Sequence, residues 1–322
     1  MPLLPHRLDG LRLRHLRLLE LIDEHRSLRA VGAILNRTQP AVSQMVKDLE
    51  YAFGATLVQR SVRGVTLSPA GKLALQRARS GLASLDHLVA ELGADQSPIL
   101  RVGTNPALVF RMWPTAMRLL ETGTDRVRMR LRTGIVGDML QSLWDGELDC
   151  YVGRVDWDQM PPEMVRVLRH DPLIQTDLVL ACSLSHPLAG RKDIAIRELA
   201  DWQWVLPPAD SNNRIALEAE FRNHGVLVPA PMMEISADLA GMMILARELE
   251  LLTCIPRSVL DSHIAAGQLC ALDVPALTFP PIQIGFMTLA EHEDMASVQI
   301  LRRVLTAAAQ EMNTPPAPSA AD

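Results

Sequence analysis

Cysteine is scarce in this chain of 322 residues, which contains four. They are Cys150, Cys182, Cys254 and Cys270, and no two of them form a Cys-x-x-Cys pair. This spacing argues against a disulfide framework and a zinc knuckle, and the nine histidines form no His-Glu-x-x-His motif. We therefore expect reduced, mostly buried thiols, with no metal and no cofactor.

Long apolar runs are also missing. No uncharged apolar stretch reaches the roughly 18 residues that a membrane helix requires. The stretch MPLLPHRLDGLRLRHLRLL carries an arginine or a histidine every few positions, so it lacks the apolar segment of a signal peptide. With 48% hydrophobic and 21% charged residues, the sequence predicts a cytoplasmic protein of about two domains without a membrane partner.

The net charge of -5 is unevenly divided along the chain. Residues 1–92 carry 13 Lys and Arg against 8 Asp and Glu, whereas residues 93–322 carry 19 against 29. A basic head favours a polyanionic partner, and an acidic body would be repelled by that partner. The two parts therefore have different tasks.

The first 53 residues have the pattern of three helices. Residues 8–25 carry an apolar stripe at Leu8, Leu11, Leu18, Leu19 and Ile22. A second helix starts at Ser27 and runs to Leu35, with an inward face of Ala30, Val31, Ile34 and Leu35. Thr38 caps a third helix, and Pro40 falls in its first turn, where the missing N–H costs nothing.

The third helix has an apolar and a polar face. Its apolar residues recur at steps of three and four and face the core: Val42, Met45, Val46, Leu49 and Phe53. The polar side carries amide, hydroxyl and ammonium groups, which read base edges and phosphates, so the two helices form a helix-turn-helix. The predicted DNA contacts are Thr38, Gln39, Pro40, Ser43, Gln44 and Lys47. An ordinary solvated helix face is the alternative explanation.

Residues 57–67 alternate apolar and polar positions around Arg63-Gly64, which predicts two short strands joined by a turn, a wing. Arg60 and Arg63 of this wing are predicted to contact the DNA backbone. Ser68-Pro69 then opens a long helix to Leu92. From Gly71 onward this helix carries a heptad seam, for which pairing with a second copy is favoured over packing on its own domain. The predicted dimerisation residues are Leu75, Ala78, Leu82, Leu85, Val89 and Leu92.

Residues 27–71 resemble the winged helix-turn-helix of LysR-type transcriptional regulators, through the elements TQPAVS, LE, LVxR and SPAG in this order and spacing. Departures are mild: Val31-Gly32 replaces the usual Ala-Ala, Val58 the usual Phe before the wing arginine, and Arg37 a usually apolar residue. Gly32 is expected to loosen its helix by up to about 1 kcal/mol relative to alanine. The resemblance implies that the protein forms a homotetramer, that it binds double-stranded promoter DNA and that RNA polymerase is a further partner.

The body shows strands interleaved with helices, which predicts an α/β domain with a largely parallel sheet and a ligand cleft between two lobes. A helix is expected from about Ala107 to Glu121. The predicted domain limits are 1–67 for the DNA-binding head, 68–92 for the linker helix, 93–98 for a hinge, 99–310 for the body and 311–322 for a disordered tail. Within the body, lobe I takes 99–171 and 277–310, and lobe II takes 172–276.

This body resembles the effector domain of the same family, which has the type 2 periplasmic-binding fold, and in particular its branch of galactose-binding-protein and aromatic-catabolism regulators. The resemblance rests on LRVGTNP, LWDGELDCYVGR, SHPLAGR and LADWQWVLPP. It implies a small-molecule effector, such as a carboxylate, a sugar or an aromatic acid, held at helix amino termini. The implied effector residues are Asn105, Pro106, Ala107, Ile135, Val136, Gly137, Arg154, Ser211, Asn212, Asn213, Arg214 and Ser236.

Three other functions compete with a ligand-controlled regulator. The first is an enzyme fused to a DNA-binding head, with a thiol nucleophile at Cys182, four positions before His186, or at Cys150. The second is a regulator of the same architecture that senses redox conditions through a thiol. The third is an architectural DNA-binding protein with little sequence preference and no ligand.

Overall fold

The computed structural model describes residues 8–61, 64–92, 99–124, 126–157, 160–236 and 238–313. The predicted hinge at 93–98 and residues 314–322 of the predicted tail lie outside this range. The chain forms two compact units, one of Met1–Pro98 with Trp144–Glu147 and one of Ile99–Leu143 with Leu148–Asp322. Within the described residues, no helix has the length and apolar character needed to span a membrane.

The first unit is a helical head with a two-stranded hairpin. Ser27 accepts a hydrogen bond from the Ala30 amide at 3.3 Å, Thr38 caps the next helix, and Gly54 ends that helix in the left-handed region at φ 65°. The caps therefore act where the sequence predicts them. The elements are α1 (Leu13–His25), α2 (Leu28–Ile34), α3 (Gln39–Phe53), β1 (Val58–Ser61), β2 (Gly64–Leu67) and α4 (Pro69–Leu92).

One hydrophobic cluster holds the head together. It joins all four helices and the hairpin through Leu18, Leu19, Ile22, Leu28, Val31, Val42, Val46, Leu49, Leu57, Leu67, Leu75 and Ala78. Three predictions are wrong here. Helix α1 begins at Leu13 rather than at Leu8, and both Ile34 and Phe53 are exposed because the last turns of α2 and α3 extend past the core. Ala52 is buried where Phe53 was expected.

The heptad seam of α4 is divided between two environments. Leu75 and Ala78 belong to the head's own core and Leu82 is also buried, so the prediction that the whole seam is free for a second copy is wrong for its first half. The second half points to solvent, with Leu85, Val89 and Leu92 exposed. Dimerisation through these three residues stays a prediction.

Among its described residues, the second unit contains two main sheets and one short pair of parallel strands. Its helices are α5 (Met112–Thr122), α6 (Val136–Trp144), α7 (Pro162–Val167), α8 (Ile196–Leu199), α9 (Asn212–Asn223), α10 (Leu239–Glu248), α11 (Arg257–Ala265) and α12 (Ala296–Asn313). Its strands are β3 (Ile99–Thr104), β4 (Arg128–Thr133), β5 (Cys150–Arg154), β6 (Leu168–Thr176), β7 (Leu178–Ser183), β8 (Val205–Leu206), β9 (Met233–Glu234), β10 (Thr253–Pro256), β11 (Leu269–Ala271) and β12 (Ile282–Leu289).

Lobe I is built on the five-stranded sheet β4-β3-β5-β12-β6. The first three strands are parallel, whereas β12 pairs antiparallel with both β5 and β6. Lobe II is built on β10-β7-β11, in which both pairings are antiparallel. The prediction of a largely parallel sheet therefore holds only for half of the lobe I sheet and for the short β8-β9 pair of lobe II.

Several boundaries in the body differ from the prediction. Strand β6 was not predicted, and because it pairs with β12 along its whole length, lobe I extends to Thr176 rather than to residue 171. The predicted helix 107–121 is interrupted: a 3-10 turn over Pro106–Phe110 precedes α5. The last helix reaches Asn313, which is beyond the predicted domain limit at 310. A large apolar cluster spans both sheets, with Trp204 and Phe221 fully buried and packed edge to face.

Candidate DNA-binding surface and ligand cavity

Helix α3 presents a polar face to solvent. The Gln39, Gln44 and Lys47 side chains are exposed, while Ser43 is half-buried beside them. Thr38 and Pro40, at the start of the helix, are also exposed. The Gln44 amide donates a hydrogen bond to Asp48 Oδ1 at 2.9 Å, one turn further along the helix. The predicted contact residues thus share one surface, and Gln44 must leave Asp48 to pair with a base through both amide atoms.

The wing is an antiparallel hairpin with Arg60 opposite Val65. Gly64 adopts φ +121°, and a Cβ at this position would lie 2.5 Å from the Arg26 carbonyl oxygen, so only glycine fits where the hairpin meets the end of α1. The Val65 amide donates to that same carbonyl at 2.9 Å. Arg63 and the Arg60 side chain lie outside the described residues, so their DNA-binding role stays a prediction.

Glu50 connects α3 to the wing, a role that the sequence interpretation missed. Its Oε1 accepts hydrogen bonds from the Leu57 amide at 2.8 Å and from the Val58 amide at 3.1 Å. A carboxylate that accepts two backbone N–H groups fixes the start of β1 relative to the recognition helix. The Leu-Glu pair of the motif marked this residue in the sequence, but its partners are not visible from spacing alone.

A cavity of about 320 Å³ lies between the two lobes of the second unit. Ten of the twelve predicted effector residues line it: Asn105, Pro106, Ala107, Ile135, Val136, Gly137, Arg154, Ser211, Asn212 and Asn213. The other two are corrections. Arg214 is buried below the cavity with its Nε paired to Glu218 Oε1, and Ser236 is exposed to solvent. The cavity has the size and the largely apolar lining of small-molecule sites.

Four helices begin at this cavity. Val136 and Gly137 open α6, Asn212 and Asn213 open α9, Leu239 opens α10, and Ser258 lies in the first turn of α11. Helix amino termini carry free N–H groups and a partial positive charge. Two of these termini already have side-chain caps, because Ser211 accepts from the Arg214 amide at 3.2 Å and Asp238 from the Gly241 amide at 2.9 Å. The remaining amides favour an acceptor group on a ligand.

A polar network crosses the cavity wall from lobe I to lobe II. Asn105 Oδ1 accepts from the Tyr151 hydroxyl at 2.8 Å and from the Arg154 amide at 2.7 Å. Arg154 Nε donates to Asp156 Oδ1 at 2.9 Å, and the other oxygen of Asp156 accepts from the Asn212 side chain in lobe II. Burial, with a smaller effect from Asp156, raises the pKa of Tyr151, so this hydroxyl remains a hydrogen-bond donor.

Arg154 retains one free donor. Its Nη1 is buried and has no hydrogen-bond partner among the described residues, although its Nε is paired. Leaving such a donor unpaired is unfavourable. A ligand oxygen in the cavity would satisfy it.

Much of the lining was not predicted, because it comes from strand and helix ends that are far apart in the sequence. These residues are Leu108, Gly134, Thr176, Pro207, Asp210, Ile235, Asp238, Leu239, Met242, Pro256, Ser258, Ile282 and Ile284. Most of them are apolar. No aromatic side chain is found among the described residues of the lining.

The thiols lie apart from this cavity. Burial raises the pKa of Cys150 and of Cys182, and it raises the pKa of Cys254 to about 12. His186 Nδ1 accepts from the Leu188 amide at 3.0 Å and its ring packs at a tilt against Trp202, while the Cys182 sulfur contacts Cys270. In the described part of the chain, no group of three or more potential ligand side chains could hold a metal ion.

Comparison with protein families gives two matches. Residues 93–310 match the LysR substrate binding domain, and residues 13–72 match the bacterial regulatory helix-turn-helix protein of the lysR family. The chain belongs to the LysR family. Its members are transcriptional regulators rather than enzymes, and the predicted fold class, a helix-turn-helix followed by an α/β effector domain, is confirmed.

Individual LysR-family relatives cover different shares of the chain. The probable hydrogen peroxide-inducible genes activator of Streptomyces viridosporus is 35% identical over 193 residues, which is 58% of this chain and 60% of that protein. The regulator GbpR of Azospirillum brasilense is 29% identical over 256 residues, which is 75% of this chain and 73% of that protein. The alignment with the Streptomyces protein thus spans less than two thirds of its length.

A solved structure supports the fold across nearly the whole chain. The crystal structure of ArgP from Mycobacterium tuberculosis has a TM-score of 0.70 at 18% identity and covers 92% of this chain and 96% of its own. At this identity the likeness concerns the fold alone.

Proposed function

We propose that this protein is a sequence-specific transcriptional regulator whose DNA binding responds to a small amphipathic acid bound between the lobes of its second unit. The observation that carries the proposal is the cavity of about 320 Å³, which gathers four helix amino termini and the unpaired Nη1 of Arg154. A DNA-binding head alone would need no such cavity.

The head supplies the sequence-reading part of this function. Gln44 and Gln39 are exposed on one face of α3, and glutamine recognises adenine through two hydrogen bonds in the major groove. Lys47 on the same face contacts phosphate or guanine. The wing then adds backbone contacts through Arg60 and Arg63, which carry affinity but little sequence information.

The lining of the cavity favours an apolar acid over a sugar. Each hydroxyl of a sugar must find a partner when it leaves water, and most of the cavity wall consists of aliphatic side chains, including Ile135, Met242 and Ile284. A carboxylate suits the helix amino termini and Arg154 Nη1, while an aliphatic or aromatic body suits the rest. Because Asp156 already neutralises Arg154, and Asp210 and Asp238 lie in the wall, more than one negative charge on the ligand is disfavoured.

The response to the ligand rests on Asp156. This carboxylate joins Arg154 of lobe I to Asn212 of lobe II across the cavity. A ligand carboxylate competes with Asp156 for Arg154 and changes how the two lobes are held. Binding that prefers one lobe arrangement shifts the population toward it.

The protein acts as an oligomer in this proposal. Helix α4 carries the exposed seam of Leu85, Val89 and Leu92 in its second half, and its first half lines an apolar groove of the head together with residues including Leu16 and Phe53. A second copy covers both, and two such dimers give the homotetramer expected from the family resemblance. RNA polymerase is a further partner of such a regulator when it is bound at a promoter.

A thermal-shift screen tests the ligand proposal. Benzoate-like aromatic acids, short branched aliphatic acids, sugar acids and neutral sugars are compared, because a ligand that binds only the folded state raises the melting temperature. We expect the apolar monoacids to stabilise the protein, and Arg154→Ala to abolish that shift. Arg128→Ala, an exposed arginine in the same lobe and outside the cavity, is the matched control. Stabilisation of both variants alike by the same acid would contradict the assignment.

A second candidate signal is oxidation. The observation in its favour is the relative named as a probable hydrogen peroxide-inducible genes activator. The raised pKa of Cys150, Cys182 and Cys254 argues against a fast sensor. Little of each thiol is then present as thiolate, which is the form that attacks peroxide. Titration of all four thiols in the native protein with a thiol reagent tests this signal: a fast-reacting thiol would support it, and four unreactive thiols would contradict it.

A further inference from the structure

Cys182 and Cys270 face each other across two neighbouring strands of lobe II. Cys182 lies in the central strand β7, Cys270 lies in the edge strand β11, and the two residues are direct partners in the antiparallel register. Their Sγ atoms are 3.6 Å apart. The pair is 88 positions apart in the sequence, so spacing alone did not reveal it.

The backbone geometry at this pair suits a disulfide. Directly opposed residues in an antiparallel pair have Cα atoms about 4.5 to 5.5 Å apart, and disulfides require roughly 4.4 to 6.8 Å. The Leu272 amide donates to the Leu180 carbonyl at 2.9 Å, so two positions along the same ladder Cys182 and Cys270 form a hydrogen-bonded pair. The Cβ atoms of opposed residues lie about 4.5 to 5.5 Å apart, compared with roughly 3.5 to 4.5 Å in a disulfide, so closing the gap needs side-chain rotation and a small approach of the edge strand β11 toward β7. Neither of the other two thiols has such an opportunity, since Cys254 is paired with Leu180 in the register and Cys150 with Thr288 and Val102.

We propose that Cys182 and Cys270 form a reversible cross-strand disulfide when the protein meets a hydroperoxide, and that this bond fastens strand β11 to the lobe II sheet. The proposal does not depend on an effector acid in the cavity. It adds a covalent modification site to the regulator and involves a pair of residues that neither the sequence interpretation nor the family matches assign.

The chemistry begins at Cys270, because Cys270 is partly accessible while Cys182 is fully buried. The Cys270 thiolate attacks one peroxide oxygen, the O–O bond breaks, and the sulfur becomes a sulfenic acid with release of water or an alcohol. Cys182 then attacks Sγ of Cys270 as its proton is lost, the S–S bond forms and the S–O bond breaks with loss of water. Two thiols give up two electrons and two protons, and the peroxide is reduced.

The same environment makes the reaction slow. Burial, with a smaller contribution from Cys270, raises the pKa of Cys182, so little of it is thiolate near neutral pH. The Cys270 thiol also donates weakly to the Ser183 carbonyl at 3.8 Å. The pair is therefore expected to form its disulfide more slowly than a pair of exposed thiols would.

Strand β11, which the disulfide would tie to β7, leads into the segment that returns the chain to lobe I. After β11 the Leu272 amide donates to the Leu180 carbonyl, and the Asp273 carbonyl accepts from the Ile194 amide, before the chain returns to β12. A disulfide at Cys270 would therefore anchor the segment between β11 and β12 at its lobe II end. The bond also closes a long loop in the unfolded chain, which raises the melting temperature.

The test is peptide mapping of the full-length protein after treatment with hydrogen peroxide. The protein is then unfolded, its free thiols are alkylated, and it is digested without reduction. We expect a linked peptide pair containing Cys182 and Cys270, lighter by about 2 Da than the two free peptides, with Cys150 and Cys254 alkylated. The melting temperature of the oxidised protein should rise by about 4 °C or more and return on reduction.

Three variants make the test specific. Cys270→Ser and Cys182→Ser should each abolish both the linked peptide and the melting-temperature rise, while Cys254→Ser should retain both. If Cys270→Ser or Cys182→Ser fails to fold, Cys270→Ala is used to remove the pair instead. Stable sulfinic acid at Cys270 with Cys182 still free, a linkage through Cys254 or to a second copy, or four unmodified thiols would each overturn the proposal.

Discussion

The Glu50 carboxylate accepts a hydrogen bond from the Leu57 amide at 2.8 Å, and the same oxygen also accepts from Val58. This contact joins the end of the recognition helix α3 to the first strand of the wing. This side chain thus links the two elements that the proposed function brings into contact with DNA. The relative placement of α3 and the wing matters because each must reach its own groove on the same duplex.

Replacing Glu50 tests this positioning role. Glu50→Ala leaves two backbone N–H groups without their carboxylate partner, and we expect a loss of about 1–3 kcal/mol in the free energy of unfolding of the head. Glu50→Gln keeps one acceptor oxygen and should lose less. Urea unfolding of both variants, followed by DNA titration under conditions where each is folded, measures the two effects. Unchanged stability in Glu50→Ala would show that the contact does not hold the wing.

Glycine at position 32 is required by a close approach rather than tolerated as a weak helix residue. A Cβ on Gly32 would lie 2.7 Å from the Arg37 carbonyl oxygen, in the turn that joins α2 to α3. We therefore expect Gly32→Ala to destabilise the head by about 1–3 kcal/mol, the reverse of the gain that helix propensity predicts.

Gly81→Ala is the matched control for that substitution. Gly81 also lies inside a helix, but no atom lies within 4 Å of the position its Cβ would take. Alanine there should stabilise the protein by up to about 1 kcal/mol. The same sign for both substitutions in thermal or urea unfolding would contradict the steric explanation.

Gly32 illustrates which features of the head could be predicted from the sequence and which could not. The helix-turn-helix, its caps and its polar face were predictable, because they depend on local spacing and on residue types such as Thr38 and Pro40. The close approach of Gly32 to Arg37 depends on how the chain turns back on itself, so helix propensity alone leaves out its steric cost.

The body shows the same limit at longer range. Strand β3 was predictable because its apolar residues alternate within a short segment, whereas β6 carries His170, Asp171 and Pro172 and does not look like a strand. The residues that open α6 and α9 at the cavity were predictable from the family resemblance, whereas Leu239 and Ser258, at the starts of α10 and α11, were not predicted. Thr176 and Ile284 reach the cavity through strand pairing, which spacing cannot reveal.

The exposed half of the α4 seam is expected to form the dimer. Val89→Glu introduces a charge where an apolar residue is 70% exposed and available to a second copy. We expect the dimer dissociation constant to rise at least about tenfold, because the charge would be desolvated in the interface. Sedimentation of the full-length protein measures this change. Ser84→Glu, an exposed position off the seam, should leave dimerisation intact, and equal behaviour of the two variants would contradict the seam assignment.

Stability should decline as the solution becomes mildly acidic. His292 is fully buried, and burial lowers its pKa, although the Asp149 and Glu291 carboxylates act in the opposite direction. A histidine whose folded pKa lies below its unfolded value of about 6.5 binds its proton more readily in the unfolded chain. The free energy of unfolding should therefore fall as the pH drops below about 6.5.

His292→Leu tests the origin of that decline. The variant lacks the buried titrating group, so its unfolding free energy should fall less steeply between about pH 7 and about pH 5 than that of the unmodified protein. His25→Gln, at an exposed position in the head, is the control and should keep the original slope. A slope in His292→Leu equal to that of the control would place the acid sensitivity elsewhere.

The wing arginines should contribute affinity without sequence preference. Arg60→Ala or Arg63→Ala should weaken binding to every DNA fragment and reduce the slope of log affinity against log salt by about 1. Binding titrations at several salt concentrations measure this slope. A change in relative affinity between site variants would instead assign these arginines to base recognition.

Sequence-specific binding by the head is tested by comparing its affinity for two DNA fragments at one salt concentration. One carries a site selected by the full-length protein from a random pool, and the other carries the same bases shuffled. We predict at least about 10³-fold tighter binding to the selected site. Gln44→Ala should narrow that ratio by about tenfold or more, since a bidentate base contact is lost. Equal affinity for the two fragments would contradict the conclusion that α3 reads DNA sequence.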